Sequence, residues 1–237
     1  MSSMPNSHKA RKLFLHEKTR LRAGTMERFV SEFSAHYQPA LEAEGAQLYG
    51  IWESSPINGH WPEVTTIWAI DSYKHLSRIG TARHLDPETR KRFAQWNGLL
   101  GELGGTGEGR LTFGNPGIKT VEEHRAAGLQ TTLVIEEVMA TKPGKQTAYV
   151  EELEYLYVPW SEETGKIWVG SFTTIFRYNE VIHLWALEGG WDGFGKYYPS
   201  WGDKPDPRIR AWMNVAPALR DGWEDSFLQA LPPNPLG

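Results

Sequence analysis

Glu63-Val64-Thr65-Thr66-Ile67-Trp68-Ala69-Ile70 returns 117 residues later as Glu180-Val181-Ile182-His183-Leu184-Trp185-Ala186-Leu187. Upstream the spacing becomes 120 and holds without a gap. Gly45 meets Gly165, Gly50 meets Gly170, Trp52 meets Phe172, Tyr37 meets Tyr157, Pro39 meets Pro159 and Gly24 meets Gly144. Agreement in register at glycine, proline and tryptophan is the signature of a repeated unit. The chain is two versions of one design.

Each version reads in the same order. Leu13 to Leu21, with Leu13, Leu15 and Leu21 on one parity, has strand character, and its partner is Thr131 to Met139. After a glycine turn, Phe29, Phe33, Tyr37 and Leu41 recur at the spacing of one buried helix face, as do Tyr149, Leu153, Leu156 and Trp160. Gly45 and Gly165 stand where a helix end favours a left-handed residue. Two strands follow, about 47–54 and 63–70, then 167–174 and 180–187. Asn58-Gly59 lies in the hairpin between the first pair. Polar, helix-prone stretches come next: 71–100, with Asp86-Pro87-Glu88 as a helix start, and roughly 204–230.

The order β-α-β-β-α is that of a ferredoxin-like unit whose closing strand is short or borrowed. One such unit leaves a sheet face bare, so two are expected to pack sheet to sheet. The predicted fold is α+β: two tandem ferredoxin-like units forming an intramolecular dimeric α+β barrel. The expected organisation is a flexible N-terminus over 1–12, a first unit over 13–100, a glycine-rich connection over 101–130 and a second unit over 131–237.

Gly165-x4-Gly170-x-Phe172, followed by Tyr178-Asn179-Glu180-Val181-Ile182-His183-Leu184-Trp185-Ala186, resembles the core signature of the NIPSNAP family. Gly45-x4-Gly50-x-Trp52 with Glu63 to Ala69 resembles it again, with Thr66 in place of His183. The resemblance spans some 180 residues and implies the dimeric α+β barrel group. That group includes cofactor-free mono-oxygenases, cyclases, isomerases, dehydratases and haem enzymes, besides members without known activity. It implies a small-molecule pocket between a sheet and its helices but does not choose a reaction.

Composition narrows the field. The 237 residues contain no cysteine, which excludes disulfides, thiolate catalysis and Cys-ligated metal centres. The formal charge is −4, and the basic residues are dispersed rather than gathered on one face, so no nucleic-acid partner is expected. No apolar run approaches a bilayer's thickness, and no signal-peptide pattern appears, so the expectation is a cytoplasmic protein with no membrane partner. Homodimerisation is not needed to complete the barrel, but the mildly basic first 100 residues and the acidic remainder leave a homo-oligomer open.

The candidate proton carriers follow from position. Glu17 and Glu137 are equivalent and share parity with apolar strand residues, where burial would raise a carboxyl toward acid–base use. His183, mid-strand beside Trp185, could serve as base, hydrogen-bond donor or haem ligand, or be a satisfied core histidine. His16 points to the opposite face from Glu17, and its counterpart is Glu136. A His–Glu contact between the sheets is conceivable, more readily as a structural pair than as a catalytic dyad. The 11 tryptophans include the repeated aromatics expected to wall a ligand: Trp52 and Phe172, Trp68 and Trp185, Tyr37 and Tyr157. Trp191 opens a Gly- and aromatic-rich stretch, 188–201, that reads equally as a lid or as packing.

No phosphate loop, dinucleotide fingerprint, nucleophile elbow or local metal-ligand spacing is present, so no metal is expected. The reading is an enzyme without an organic cofactor, acting by acid–base chemistry on a small hydrophobic or aromatic metabolite as isomerase, cyclase, lyase or oxygenase. Glu137 or Glu17 would be the acid/base and His183 its partner. The alternatives are a non-catalytic binding or scaffold protein, and a haem-binding barrel.

Overall fold

In the computed structural model, which describes residues 12–58, 60–197 and 206–237, the two versions fold alike. In the first, β1 (Leu13–Arg20) leads into a helical segment made of α1 (Met26–Glu32), a π-turn over Phe33–Tyr37 and α2 (Gln38–Ala43). Then come β2 (Gln47–Ser54), β3 (Glu63–Ile70), α3 (Tyr73–Leu85), α4 (Pro87–Glu102) and β4 (Thr106–Gly114). After α5 (Val121–Ala126), the second version repeats the order. β5 (Leu133–Thr141) is followed by α6 (Gln146–Glu152), a π-turn over Leu153–Tyr157 and α7 (Val158–Glu163). Next are β6 (Lys166–Thr174), β7 (Glu180–Leu187), α8 (Trp191–Tyr197), α9 (Pro207–Leu219) and β8 (Arg220–Ala230).

The repeat extends to irregular detail. Trp68 pairs across its sheet with Leu15 and Leu48, and Trp185 pairs with their equivalents Ile135 and Trp168. The ladder slips at Leu48/Gly50 and again at Trp168/Gly170. Gly45 and Gly165 end their helices at φ +89° and +90°, a backbone region that excludes most side chains. Both π-turns sit just before a proline, Pro39 or Pro159. Proline has no N–H to give the preceding turn, and the wider turn accommodates the missing bond. Its effect is to carry Tyr37 and Tyr157 onto the sheet, where both are buried.

Each sheet has the order β2-β3-β1-β4 or β6-β7-β5-β8, and the two join edge to edge into a closed eight-stranded barrel. Trp52, Glu53 and Ser54 of β2 pair with Ala230, Gln229 and Leu228 of β8, while Thr112, Phe113 and Gly114 of β4 pair with Thr174, Thr173 and Phe172 of β6. The fold is α+β, as the repeat predicts. The closing strands differ from the sequence expectation. β4 lies inside the stretch read as a glycine-rich connection, and β8 inside the stretch read as helix-prone. Glycine in β4 is a packing requirement, because a Cβ at Gly107 would approach the Lys18 carbonyl oxygen to 2.9 Å. Residues 1–11 of the expected N-terminal tail and Gly59 of the hairpin lie outside the described residues. Among those described, no helix is long and apolar enough to cross a membrane.

Three apolar layers result. Phe29, Phe33, Trp68 and Trp96 fill the space between the first sheet and its helices. Leu153, Trp185 and Trp212 do so in the second. Phe14, Tyr49, Trp52, Phe172, Ile182 and Leu228 fill the barrel interior. Alternation along every strand divides side chains between interior and helix layer.

The interior also holds charge. His16 and Glu136, which occupy equivalent positions, meet at 2.6 Å (Nε2 to Oε1), and Lys18 Nζ lies 2.5 Å from the other Glu136 oxygen. Lys18 reaches Glu63 as well, at 3.3 Å. Burial alone would raise the Glu136 carboxyl, but Lys18 and then His16 pull it far below the ordinary carboxylate range. Its stabilising contribution is therefore present in full at neutral pH and is lost progressively as pH falls below about 4.5, where the unfolded carboxyl takes up a proton, toward the lower folded-state range. Glu136→Gln leaves Lys18 and His16 buried without their shared counter-charge and should cost about 3–5 kcal/mol in urea unfolding at pH 7. A loss below about 1 kcal/mol would show that the cluster contributes nothing to closure.

Candidate functional site

Between each sheet and its helices the apolar layer is incomplete, and a cavity remains at the same place in both halves. The first-half cavity, about 260 Å³, is lined by Glu17, Phe29, Tyr37, Thr66, Arg83 and Gly109, among others. The second-half cavity, about 350 Å³, is lined by Glu137, Tyr149, Tyr157, Lys166, Tyr197 and Asp225, with apolar walls that include Leu153 and Trp212. The expectation that Glu17 and Glu137 point into equivalent apolar surroundings places them correctly. What surrounds them differs.

Around Glu17 the donors are neutral. Tyr37 Oη donates to one carboxyl oxygen at 2.8 Å, and Thr66 Oγ1 and Trp68 Nε1 donate to the other at 3.2 and 3.1 Å. Burial still outweighs these bonds and leaves the Glu17 carboxyl above its ordinary value. Tyr37 is pushed up strongly, by burial first and then by its acidic neighbour.

Around Glu137 a cation has been added. Lys166 Nζ donates to Glu137 Oε1 at 2.5 Å and to Tyr157 Oη at 3.2 Å. Tyr157 and Tyr197 share a hydrogen bond of 2.6 Å between their hydroxyls. The ammonium also lies 4.4 Å above the Trp185 ring, a cation–π contact in a desolvated setting. Burial pushes the Glu137 carboxyl up, but Lys166 outweighs it and holds the group ionised, below its ordinary value. His183 adds little to that pull at neutral pH, because its own burial lowers it to about 4. Asp225 faces Glu137 across the β5–β8 ladder. Desolvation by the cavity walls and repulsion from Glu137 raise it to about 6. The residue is open to water at the cavity mouth, which limits the desolvation, so the Glu137 charge fixed opposite it is the firmer cause.

The sequence-expected residues separate into three groups. Glu137 and Tyr157 come together in the cavity, with Trp185 beneath the ammonium of Lys166, a residue the sequence reading did not single out. Glu17, Tyr37 and Trp68 form the matching first-half cluster. The remainder lies elsewhere. Trp52 and Phe172 fill the barrel interior, where the Trp52 indole donates to the Thr131 carbonyl at 3.1 Å and Phe14 meets Phe172 edge-on at 5.0 Å. His16 is in the interior with Glu136, on the face opposite Glu17. His183 is fully buried beside the cavity without lining it, 2.6 Å from Ser171 Oγ through Nδ1 and under the Tyr149 ring. Trp191 is half-exposed, donates to Gln229 at 3.0 Å and borders a separate hollow of about 590 Å³ next to α5. The stretch read equally as lid or packing folds over Trp191–Tyr197 as α8, and the last residue of that helix, Tyr197, supplies a cavity hydroxyl. Tyr198 and Trp201 lie outside the described residues.

A haem does not fit this site through His183. That ring is fully buried and does not line the cavity, and no histidine lines it among the described residues.

Sequence reasoning missed Lys166, Asp225, Arg220 and the cavity role of Tyr149. The signal was available in the repeat itself. At the equivalent positions the first half carries Ala46 for Lys166, Phe29 for Tyr149, Thr66 for His183 and, through the strand pairing, Gly109 for Asp225. A polar residue that replaces an apolar or absent side chain at a buried repeat position marks a difference in use.

Comparison with known proteins agrees with the architecture. Residues 19–101 match the NIPSNAP family model. The chain is NIPSNAP-like. Its barrel superposes on a putative monooxygenase from Lactobacillus acidophilus NCFM (TM-score 0.59, 10% identity, 92% of this chain and 93% of that one). It is similar also to an anthrone oxidase-like protein (0.52, 12%, 94% and 92%) and to a mutant chlorite dismutase from Candidatus Nitrospira defluvii (0.52, 9%, 92% and 91%). At such identities the likeness establishes the dimeric α+β barrel fold alone. No curated protein matches this NIPSNAP-like chain.

Lys166→Met isolates the buried ion pair. It should destabilise the protein by about 3–5 kcal/mol at pH 8, because Glu137 is left charged and unpaired. Without Lys166, burial raises Glu137 above its unfolded value, so the variant should regain stability as pH falls from 8 to 5. Thermal unfolding across that range checks the sign. A variant with the wild-type pH slope would mean that Lys166 does not set the Glu137 charge.

Proposed function

We propose that the second-half cavity is the active site of an enzyme that removes a proton from a small, hydrophobic or aromatic carbonyl compound, without an organic cofactor. The carrying observation is the asymmetry of the repeat. Lys166, Tyr149 and Asp225 stand where the same scaffold elsewhere uses Ala46, Phe29 and Gly109. A fold that needed these side chains for stability alone would need them in both halves.

The chemistry follows from the arrangement. Asp225, raised to about 6, is mostly ionised at neutral pH yet basic enough to accept a proton, so it serves as general base at the cavity mouth. This moves the proton-carrying role from Glu137, which Lys166 keeps ionised. Glu137 instead holds the ammonium in place and raises Asp225. Negative charge developing on a substrate oxygen would meet the Tyr157 and Tyr197 hydroxyls, backed by Lys166, within a largely apolar enclosure where such charge stabilisation is strong. Trp212 and Leu153 supply flat and aliphatic walls. Isomerisation, cyclisation, elimination and cofactor-free oxygenation can each begin with this proton removal. The monooxygenase-like and oxidase-like names of the fold neighbours are compatible with it.

The test is exchange of the α-hydrogens of 2-tetralone in D2O, followed by NMR. Wild type should accelerate exchange above buffer, with a rate that falls as pH drops through about 6, the range in which Asp225 becomes protonated. Asp225→Asn should lower the rate about 100-fold or more and remove that limb of the profile. No acceleration by wild type, or an unchanged rate in Asp225→Asn, overturns the proposal in favour of a binding protein.

A further inference from the structure

The same cavity contains polar groups that proton removal does not use. Arg220, at the first residue of β8, lines it. Its guanidinium carbon lies 4.1 Å from the centre of the Trp223 ring and 5.6 Å from that of Trp212. It donates to the weak acceptor Met139 Sδ at 3.7 Å and neighbours the Tyr149 hydroxyl. No carboxylate among the described residues lies within ion-pair distance of it, whereas Arg110 and Arg208 each have one. A planar cation packed against indole rings presents N–H groups along its edge, the geometry in which arginine binds carboxylates in a bidentate manner.

Tyr149 provides the second observation. It is fully buried and lines the cavity, with Arg220 as its polar neighbour and no acceptor for its O–H. A buried donor without an acceptor costs about 1–3 kcal/mol, a penalty relieved when a ligand supplies the acceptor. The first-half equivalent, Phe29, carries no hydroxyl, so the barrel does not require one there. Tyr149 and Arg220 line one cavity and are close enough to influence each other electrostatically.

We infer that the ligand of this cavity is a small monocarboxylate with an aromatic or aliphatic body, its carboxylate held by the Arg220 guanidinium and the Tyr149 hydroxyl. The inference rests on the reading of this cavity as the ligand site and adds the substrate's charge to it. The apolar body lies along Leu153, Met139 and Trp212. Lys166 does not take the carboxylate, because Glu137 and Tyr157 already engage it.

Isothermal titration with 4-phenylbutyrate and with 4-phenylbutyramide, its neutral isostere, tests this at pH 7.5. The carboxylate should bind wild type at least tenfold more tightly than the amide. Arg220→Gln should reduce that preference to less than twofold while leaving amide affinity within twofold of wild type. Tyr149→Phe should weaken the carboxylate several-fold. Arg220→Lys should restore part of the preference, which a purely structural loss would not permit, and near-UV circular dichroism checks that the variants are folded. Equal binding of acid and amide to wild type, or a preference that survives in Arg220→Gln, overturns the charge assignment but leaves the cavity as a ligand site. Binding of neither compound overturns both.

Discussion

Edge-to-edge hydrogen bonding between the two sheets is the constraint from which the rest follows. A ferredoxin-like sheet with helices on one side has a second face to cover, and its outer strands carry unpaired backbone groups. Pairing β2 with β8 and β4 with β6 solves both problems at once, because the bare faces become the interior of a closed barrel and both outer edges acquire partners. The interior then has to be filled from two directions. Trp52 and Phe172 do this by size, and the His16–Glu136–Lys18 cluster by charge, with partners contributed by both sheets.

Once the barrel is closed, its two helix-covered faces no longer need to be alike. The first face carries a carboxyl satisfied by three neutral donors. The second has the same carboxyl, the same tyrosine from the same π-turn and the same tryptophan, joined by an ammonium bonded directly to that carboxyl, a carboxylate across the ladder from it and an extra buried hydroxyl. Because Lys166 fixes Glu137 as an anion and Glu137 in turn raises Asp225, the electrostatics of the second cavity depend on one residue that the first half lacks. Duplication allows such divergence at limited cost. The shared framework of glycine ends, proline-linked π-turns and matching ladder slips stays fixed while cavity-lining positions vary.

The sequence carried much of the fold because the determinants of the unit are local. Gly45 and Gly165 end helices for reasons of φ, Pro39 and Pro159 loosen a turn because they lack an N–H, and Trp68 and Trp185 are placed by strand parity. The closing strands were harder to read. β4 is glycine-rich, since Gly107 packs against the Lys18 backbone, and in β8 Trp223 and Asp225 are exposed on the helix side while Ser226 and Leu228 turn inward and are buried. Neither strand has the apolar alternation of a strand buried on both sides, and each becomes a strand because a neighbour's edge is waiting for it.

For this protein, then, the chain by itself determined the duplication, the order of elements, the helix boundaries at glycine and the equivalence of Glu17 and Glu137, all of which follow from spacing along one strand or helix. Tertiary structure alone decided which aromatics fill the barrel and which border a cavity, and that Lys166, Tyr157, Tyr197 and Asp225 converge on one carboxylate. Those groups come from β6, the π-turn, α8 and β8. Their charges act on one another through a few ångströms of space that no sequence interval encodes.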